Sequence, residues 1–198
     1  MPLDLKTAPA TEPISTADAK SHLRVDVSDD DTLIDGLVTA AREHVEGLTR
    51  RALIDQTWYL VLDRFPASDL TPIVVPLPPL KSVSSITYVD TAGTTQTWAA
   101  SKYDVDSPSG PKARRGRIAP AFDEVYPDTR EQLNAVTIEF IAGYGAGGAN
   151  VPEPIILGMK LLVGHWYEHR ESVVVGATVA PVPETARAVL WPYRSMGF

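Results

Sequence analysis

The most chemically suggestive stretch is His165-Trp166-Tyr167-Glu168-His169, in which two histidines stand four residues apart with a glutamate between them. On a helix that spacing puts both imidazoles on one face, where they could chelate zinc while the glutamate acts as base for a bound water. The order matches the H-x-x-E-H pattern of a zinc-dependent hydrolase using His165, Glu168 and His169. A catalytic zinc needs a third protein ligand. Of the 29 residues after His169, the acidic ones are Glu171, which is too close, and Glu184, which lies beyond a proline-rich stretch. Two histidines alone hold a catalytic zinc poorly, so the stretch reads better as a helix end with packed aromatics and solvated polar groups.

A second candidate is Gly143-Tyr144-Gly145-Ala146-Gly147-Gly148, a formal G-x-G-x-x-G that could serve a nucleotide-binding module. There the helix must begin within the glycines so that its amides meet the pyrophosphate, but Asn150, Pro152 and Pro154 delay it. A strand-to-helix loop fits better. Asp26, Ser28, Asp30 and Asp31 resemble a calcium loop, yet Asp31 stands where the sharp turn needs glycine and Leu37 where the bidentate glutamate belongs. Helix capping accounts for these residues. His22 and His44 have no partner identifiable from sequence, and no Ser or Thr sits in a nucleophile elbow. No catalytic, cofactor-binding or metal-binding residue is assigned, and the chain is expected not to be an enzyme.

Two other groups suit binding. Lys112, Arg114, Arg115 and Arg117 form a basic cluster in a loop with Gly110, Pro111 and Gly116; solvation is its default role, contact with DNA or an acidic partner the alternative. The tail Trp191-Pro192-Tyr193-Arg194 through Phe198 holds the residue types that most often anchor interfaces. Docking onto a partner and docking onto its own subunit are both open for it.

The elements that carry these groups follow from periodicity and punctuation. Ser15 with Asp18 opens a short helix that ends near Leu23 or Arg24. A longer helix follows Ser28, with Leu33, Ile34, Leu37, Val38, Ala41, Val45 and Leu48 on one face. From Gln56 the pattern changes to β-rich segments at Thr57–Leu62, Ile73–Val75, Val83–Val89 and Ala135–Ile141, separated by turn residues that favour antiparallel pairing. Leu77-Pro78-Pro79-Leu80 reads as a turn between two strands. Pro154 suits the first turn of a third long helix running to about Arg170, Glu171–Pro183 reads as a mobile loop, and a short helix could occupy Glu184–Leu190. The fold expected is α+β: a bundle of N-terminal (1–55) and C-terminal (143–198) helices with an inserted antiparallel β lobe (56–142).

At 198 residues the chain can bury one core, and with no cysteine it has neither disulfides nor thiolate chemistry. Its net charge of -7 argues against tight binding to a phosphate backbone. The N-terminus lacks a basic region followed by an apolar run, and no stretch approaches the roughly 20 apolar residues of a membrane span. A soluble protein, cytoplasmic when made, is expected, without a membrane partner.

The order of signals resembles the head-tail connector (adaptor) proteins of long-tailed phages and phage-like gene transfer particles. The resemblance is carried by Ala19-Lys20-Ser21-His22-Leu23-Arg24-Val25, Thr49-Arg50-Arg51-Ala52-Leu53-Ile54 with Gln56-Thr57-Trp58, and Leu77-Pro78-Pro79-Leu80-Lys81-Ser82-Val83. It continues through Ile86, Tyr88 and Asp90, Phe140-Ile141-Ala142-Gly143-Tyr144-Gly145 with Val151-Pro152, His165-Trp166-Tyr167-Glu168 with Arg170-Glu171, and Pro192-Tyr193-Arg194. It implies a virion protein of the head-tail joint that forms a twelvefold homo-oligomeric ring under the portal protein. Such a ring lengthens the DNA channel, passes DNA without sequence-specific binding, and offers a platform to a tail-side stopper or tail-completion protein. The interaction residues expected are Trp191, Tyr193, Arg194 and Phe198, with Arg114, Arg115 and Arg117. No cofactor is implied.

Overall fold

In the computed structural model, residues 2–169 and 184–196 are described. The expectations for residues 170–183 and for Phe198 lie outside them.

Helix α1 (Thr16–Leu23) begins where the sequence places it: the Ser15 hydroxyl oxygen accepts from the Asp18 amide at 3.1 Å and the hydroxyl donates to the Asp18 carboxylate at 2.6 Å. That bond holds the Asp18 carboxyl below its ordinary pKa. Helix α2 (Asp31–Thr49) buries Ile34, Val38, Ala41, Arg42, Val45 and Thr49, while Leu33, on the expected stripe, is exposed. The buried face is thus rotated so that a charged residue enters the core. Arg42 is tolerated there because its guanidinium donates to Glu12 at 2.8 Å and to Glu46 at 3.0 Å. Helices α3 (Glu153–Glu168) and α4 (Glu184–Leu190) complete the helical body, α3 carrying Pro154 in its first turn where no amide partner is lost.

The strands are β1 (Leu3–Thr7), β2 (Gln56–Leu62), β3 (Ile73–Val75), β4 (Leu80–Val89), β5 (Thr95–Thr97), β6 (Tyr103–Asp106), β7 (Gly116–Pro120) and β8 (Val136–Ala142). One antiparallel sheet has the order β1-β2-β8-β4-β5 and a second the order β3-β7-β6. The α+β class and antiparallel pairing agree with the sequence reading, and the Pro78-Pro79 segment is the turn that joins β3 to β4. Strands β1, β5, β6 and β7 were not expected. Each is five residues or shorter, and β5 (Thr-Gln-Thr) is exposed throughout, so neither length nor alternation marks it. These strands exist because a neighbour supplies the hydrogen-bonding edge.

Two apolar cores result. One, among the helices, centres on Ile34, Val38, Leu53, Ile155, Met159 and Leu162. The other, between the sheets, centres on Leu60, Ile86, Ile118, Ile138 and Phe140 with the rings of Phe65, Trp98 and Tyr126. Glu46 couples them at the C-terminal end of α2, accepting from the Leu53 amide at 2.9 Å and from the Gln56 side chain at 2.7 Å.

Candidate assembly interface

Among the described residues the histidine pair gathers no third metal ligand. Helix α3 ends at Glu168, so His169 lies beyond it with non-helical backbone angles (φ -117°, ψ 72°), and its Nδ1 sits 3.0 Å from the His165 carbonyl oxygen. The two rings are 4.7 Å apart and tilted by 30°. Among the described residues no group of three or more His, Cys, Asp or Glu could hold a metal ion.

The glycine loop is used for packing. The Gly143 amide donates to Pro79, that of Tyr144 donates to Leu53, and the Gly145 carbonyl accepts from the Asp55 amide. Gly143 has φ 148°, and a β-carbon there would lie 2.5 Å from the Asp55 nitrogen; at Gly148 it would lie 2.0 Å from the Pro13 carbonyl oxygen. The glycines let the loop pass against its own backbone, and α3 starts only at Glu153. The acidic run does other work than expected. Asp30 occupies the α2 N-cap without a side-chain capping bond; its carboxylate accepts from the Tyr167 hydroxyl at 2.5 Å, and Asp31 pairs with Lys20 at 2.6 Å.

The structure does bring the basic loop and the C-terminal tail together. After α4 the chain makes a short helical turn at Trp191–Tyr193, and the Ser195 amide donates to the Thr49 carbonyl at the end of α2 at 2.7 Å. Arg51, 3 % exposed, sits under the junction. Its Nε donates to the Tyr193 carbonyl at 2.5 Å and its Nη1 to the Ala113 carbonyl at 2.8 Å, so one side chain pins both tail and loop. Burial lowers the Arg51 pKa, while Tyr144 beside it favours the charge. Burial likewise raises the Tyr144 phenol, whose hydroxyl donates to the Pro111 carbonyl at 2.7 Å and ties down the other arm of the loop.

Between loop and tail lies a cleft of about 310 Å³, lined by Arg51, Lys112, Arg114, Arg115, Arg117 and Arg194 together with apolar atoms that include Met196. Lys112 stands 5.6 Å from the centre of the Tyr193 ring. Arg117 pairs with Asp106 at 2.6 Å and Arg114 approaches the same carboxylate at 3.8 Å, so two cations share one anion. Trp191 faces outward, 45 % exposed, with the Arg187 and Arg194 guanidinium groups 5.8 and 5.2 Å from its ring centre. Of the sequence-selected residues, Tyr193, Arg194, Arg114, Arg115 and Arg117 therefore meet at one place, with Trp191 at its edge. The tail from Trp191 to Met196 docks on its own subunit. Arg51 and Tyr144, which build the junction, were not selected as binding residues; both lie in segments that carried the family resemblance.

Residues 14–87 match the model of a family described as phage gp6-like head-tail connector proteins. A chain in the virion of a native gene transfer agent (GTA) particle superimposes with a TM-score of 0.81 at 26% identity, over 100% of this chain and 97% of that one. The chain shares the fold of that GTA-particle protein. A second chain, from the neck of an empty GTA particle computed with C6 symmetry, gives a TM-score of 0.80 at 26% identity with the same coverage. A third, from the neck of a native GTA particle computed with C12 symmetry, shares the fold at 24% identity and a TM-score of 0.77, over 100% and 97% of the two chains. No curated protein matches the sequence. The correspondence with the GTA chains runs the full length, so the basic loop and tail fall within the shared fold and are not appendages to it.

Proposed function

We propose that the chain is a structural connector subunit of a phage-like particle, assembling with copies of itself into a ring, twelvefold as the family resemblance implies, beneath the portal protein. In this reading it extends the DNA channel and presents a platform to a tail-side stopper or tail-completion protein. The observation that carries the reading is the end-to-end likeness, at 26% identity, to a chain in a GTA virion. The role needs no active site, in keeping with the place of His165 and His169 at a helix end and of the glycine loop against its own backbone.

The physical properties support the same role. A ring of one chain requires two different complementary patches on each subunit. A conduit for DNA is served by a chain of net charge -7, because a strongly basic lumen would hold phosphates back. The tail supplies the contact with the portal or a neighbour: Trp191, Tyr193 and Arg194 present an aromatic and cationic edge, continued in sequence by Phe198, and Arg114, Arg115 and Arg117 widen it.

The test is electron microscopy of lysate from cells whose particle gene cluster lacks this gene alone. Filled heads accumulating beside unattached tails are expected. Complete, tailed particles would overturn the reading.

A further inference from the structure

The cleft between loop and tail concentrates positive charge. Six of the 18 lysines and arginines of the chain line it. The remaining 12 stand against 25 carboxylates, which leaves a formal charge of -13 on everything outside the cleft. Among the described residues no carboxylate lines the cleft itself, and the shared Asp106 neutralises one charge at its rim. A site of this kind takes a ligand with several carboxylates or phosphates.

The densest source of carboxylates on the same molecule is the turn from α1 into α2. Asp26, Asp29, Asp30, Asp31 and Asp35 fall within ten residues, and Lys20 supplies an ion pair to one of them. The other acidic area, around Asp63, Asp69, Asp128 and Glu131, is interleaved with Arg64 and Arg130 and is closer to neutral. The acidic turn also carries exposed apolar groups, Val27 at 60 % and Leu33 at 38 %, just as the cleft is bordered by Met196 at 65 % and Trp191 at 45 %.

The two patches stand at opposite ends of one rod. The acidic turn leads into the first residues of α2, and the cleft is built around Arg51 and Ser195 at its last, so the 19 residues of that helix separate them by about 28 Å. Complementary patches at the two ends of a subunit make a head-to-tail contact, which closes into a ring when the rotation between copies allows it. We propose that the basic cleft of one copy receives the acidic α1–α2 turn of the next, and that this contact joins neighbours around the ring. The inference rests on the connector reading and adds to it the identity of the two surfaces that meet. DNA phosphates are the competing ligand of the same chemistry; the acidic balance of the chain and the matching apolar borders favour a second copy.

A charge exchange separates these cases. One variant carries Arg114→Glu and Arg117→Glu, the other Asp26→Lys and Asp29→Lys, all four positions being exposed. Each is placed alone, and then both together, in particle-producing cells that lack the native gene, and tailed particles are counted. Thermal unfolding of each purified variant first establishes that it folds as the native chain does. Each variant alone should repel its own copies and lower the count at least about tenfold, whereas the pair, matching acid to base in alternation, should restore it. Native-like counts from either variant alone would overturn the proposal and leave the connector reading standing. Loss with both variants and no rescue by the mixture would also overturn it, and would assign the cleft to DNA or to the portal. Tailed particles in cells with no copy of the gene would sink the connector reading and this proposal with it.

Discussion

Inside the helical body, charged side chains cross the core. Arg42 reaches Glu12 and Glu46, Glu46 reaches the Leu53 amide and the Gln56 side chain, and Arg51 reaches the Ala113 and Tyr193 carbonyls. Between the sheets the interior is built from rings, with Phe65 at 5.8, 5.3 and 5.3 Å from Tyr88, Trp98 and Tyr126. Apolar packing supplies most of the stabilisation and tolerates small shifts, whereas charged hydrogen bonds fix direction and fail when a partner moves. The polar network lies where the chain joins helix, sheet, basic loop and tail. The ring cluster lies where a lobe has simply to hold its shape. The difference teaches that geometry in this molecule is set at the α2 end, beside the surface proposed for assembly.

Burial sharpens the contrast. It works against the charge on Arg42, but Glu12 and Glu46 outweigh it and raise the pKa. Glu46 goes the other way: burial raises its carboxyl above the ordinary 4.5, although Leu53, Arg42 and Gln56 all favour the ion.

The comparison can be broken at four points, taken from the largest expected effect to the smallest. Phe140, fully buried on central strand β8, should cost about 3–5 kcal/mol when replaced by alanine, measured by chemical denaturation, with the loss expressed through the sheet core. Arg51→Met should cost about 2–3 kcal/mol, because two buried carbonyls lose a charged donor. Its distinguishing mark is faster hydrogen exchange at residues 110–115 and 191–196 together; faster exchange throughout the sheets would contradict the assignment of Arg51 to the junction.

Ser15→Ala should cost about 1 kcal/mol by removing the α1 cap, and should raise the Asp18 pKa toward its ordinary value. The last point is a pH profile. With its folded pKa raised, Glu46 contributes stability that is full below pH 4.5 and is lost as pH rises through the folded value. Glu46→Gln should therefore flatten the change in Tm between about pH 4.5 and neutrality; an unchanged slope would mean that another group sets it.

How much of this was legible in sequence follows the same division. The capping pair Ser15 and Asp18, the proline in the first turn of α3 and the strands at Gln56–Leu62 and Val136–Ala142 are local or periodic signals, and the structure carries them close to where they were read. Strands β1 and β5–β7 were not legible, because a short edge strand is defined by the partner it meets. The rotation of α2 that exposes Leu33 and buries Arg42 was hidden for a similar reason: an arginine reads as solvated until Glu12, thirty residues earlier, closes on it. Arg51 was hidden more deeply. Its acceptors are backbone carbonyls 62 and 142 residues away, and a carbonyl has no sequence signature. The residue types of the proposed binding surface could be read, but the junction that gathers them depends on topology.

The central claim is that the tail edge, held in place by Arg51, attaches the subunit to the particle. Its most direct test is cosedimentation of the purified chain with DNA-filled, portal-bearing heads made without it, comparing the native chain with Trp191→Ala. Trp191 is half exposed, so the variant should unfold at nearly the native temperature. The account predicts that the native chain travels with the heads and the folded variant stays in the supernatant. Equal sedimentation of both, or of neither, would contradict it.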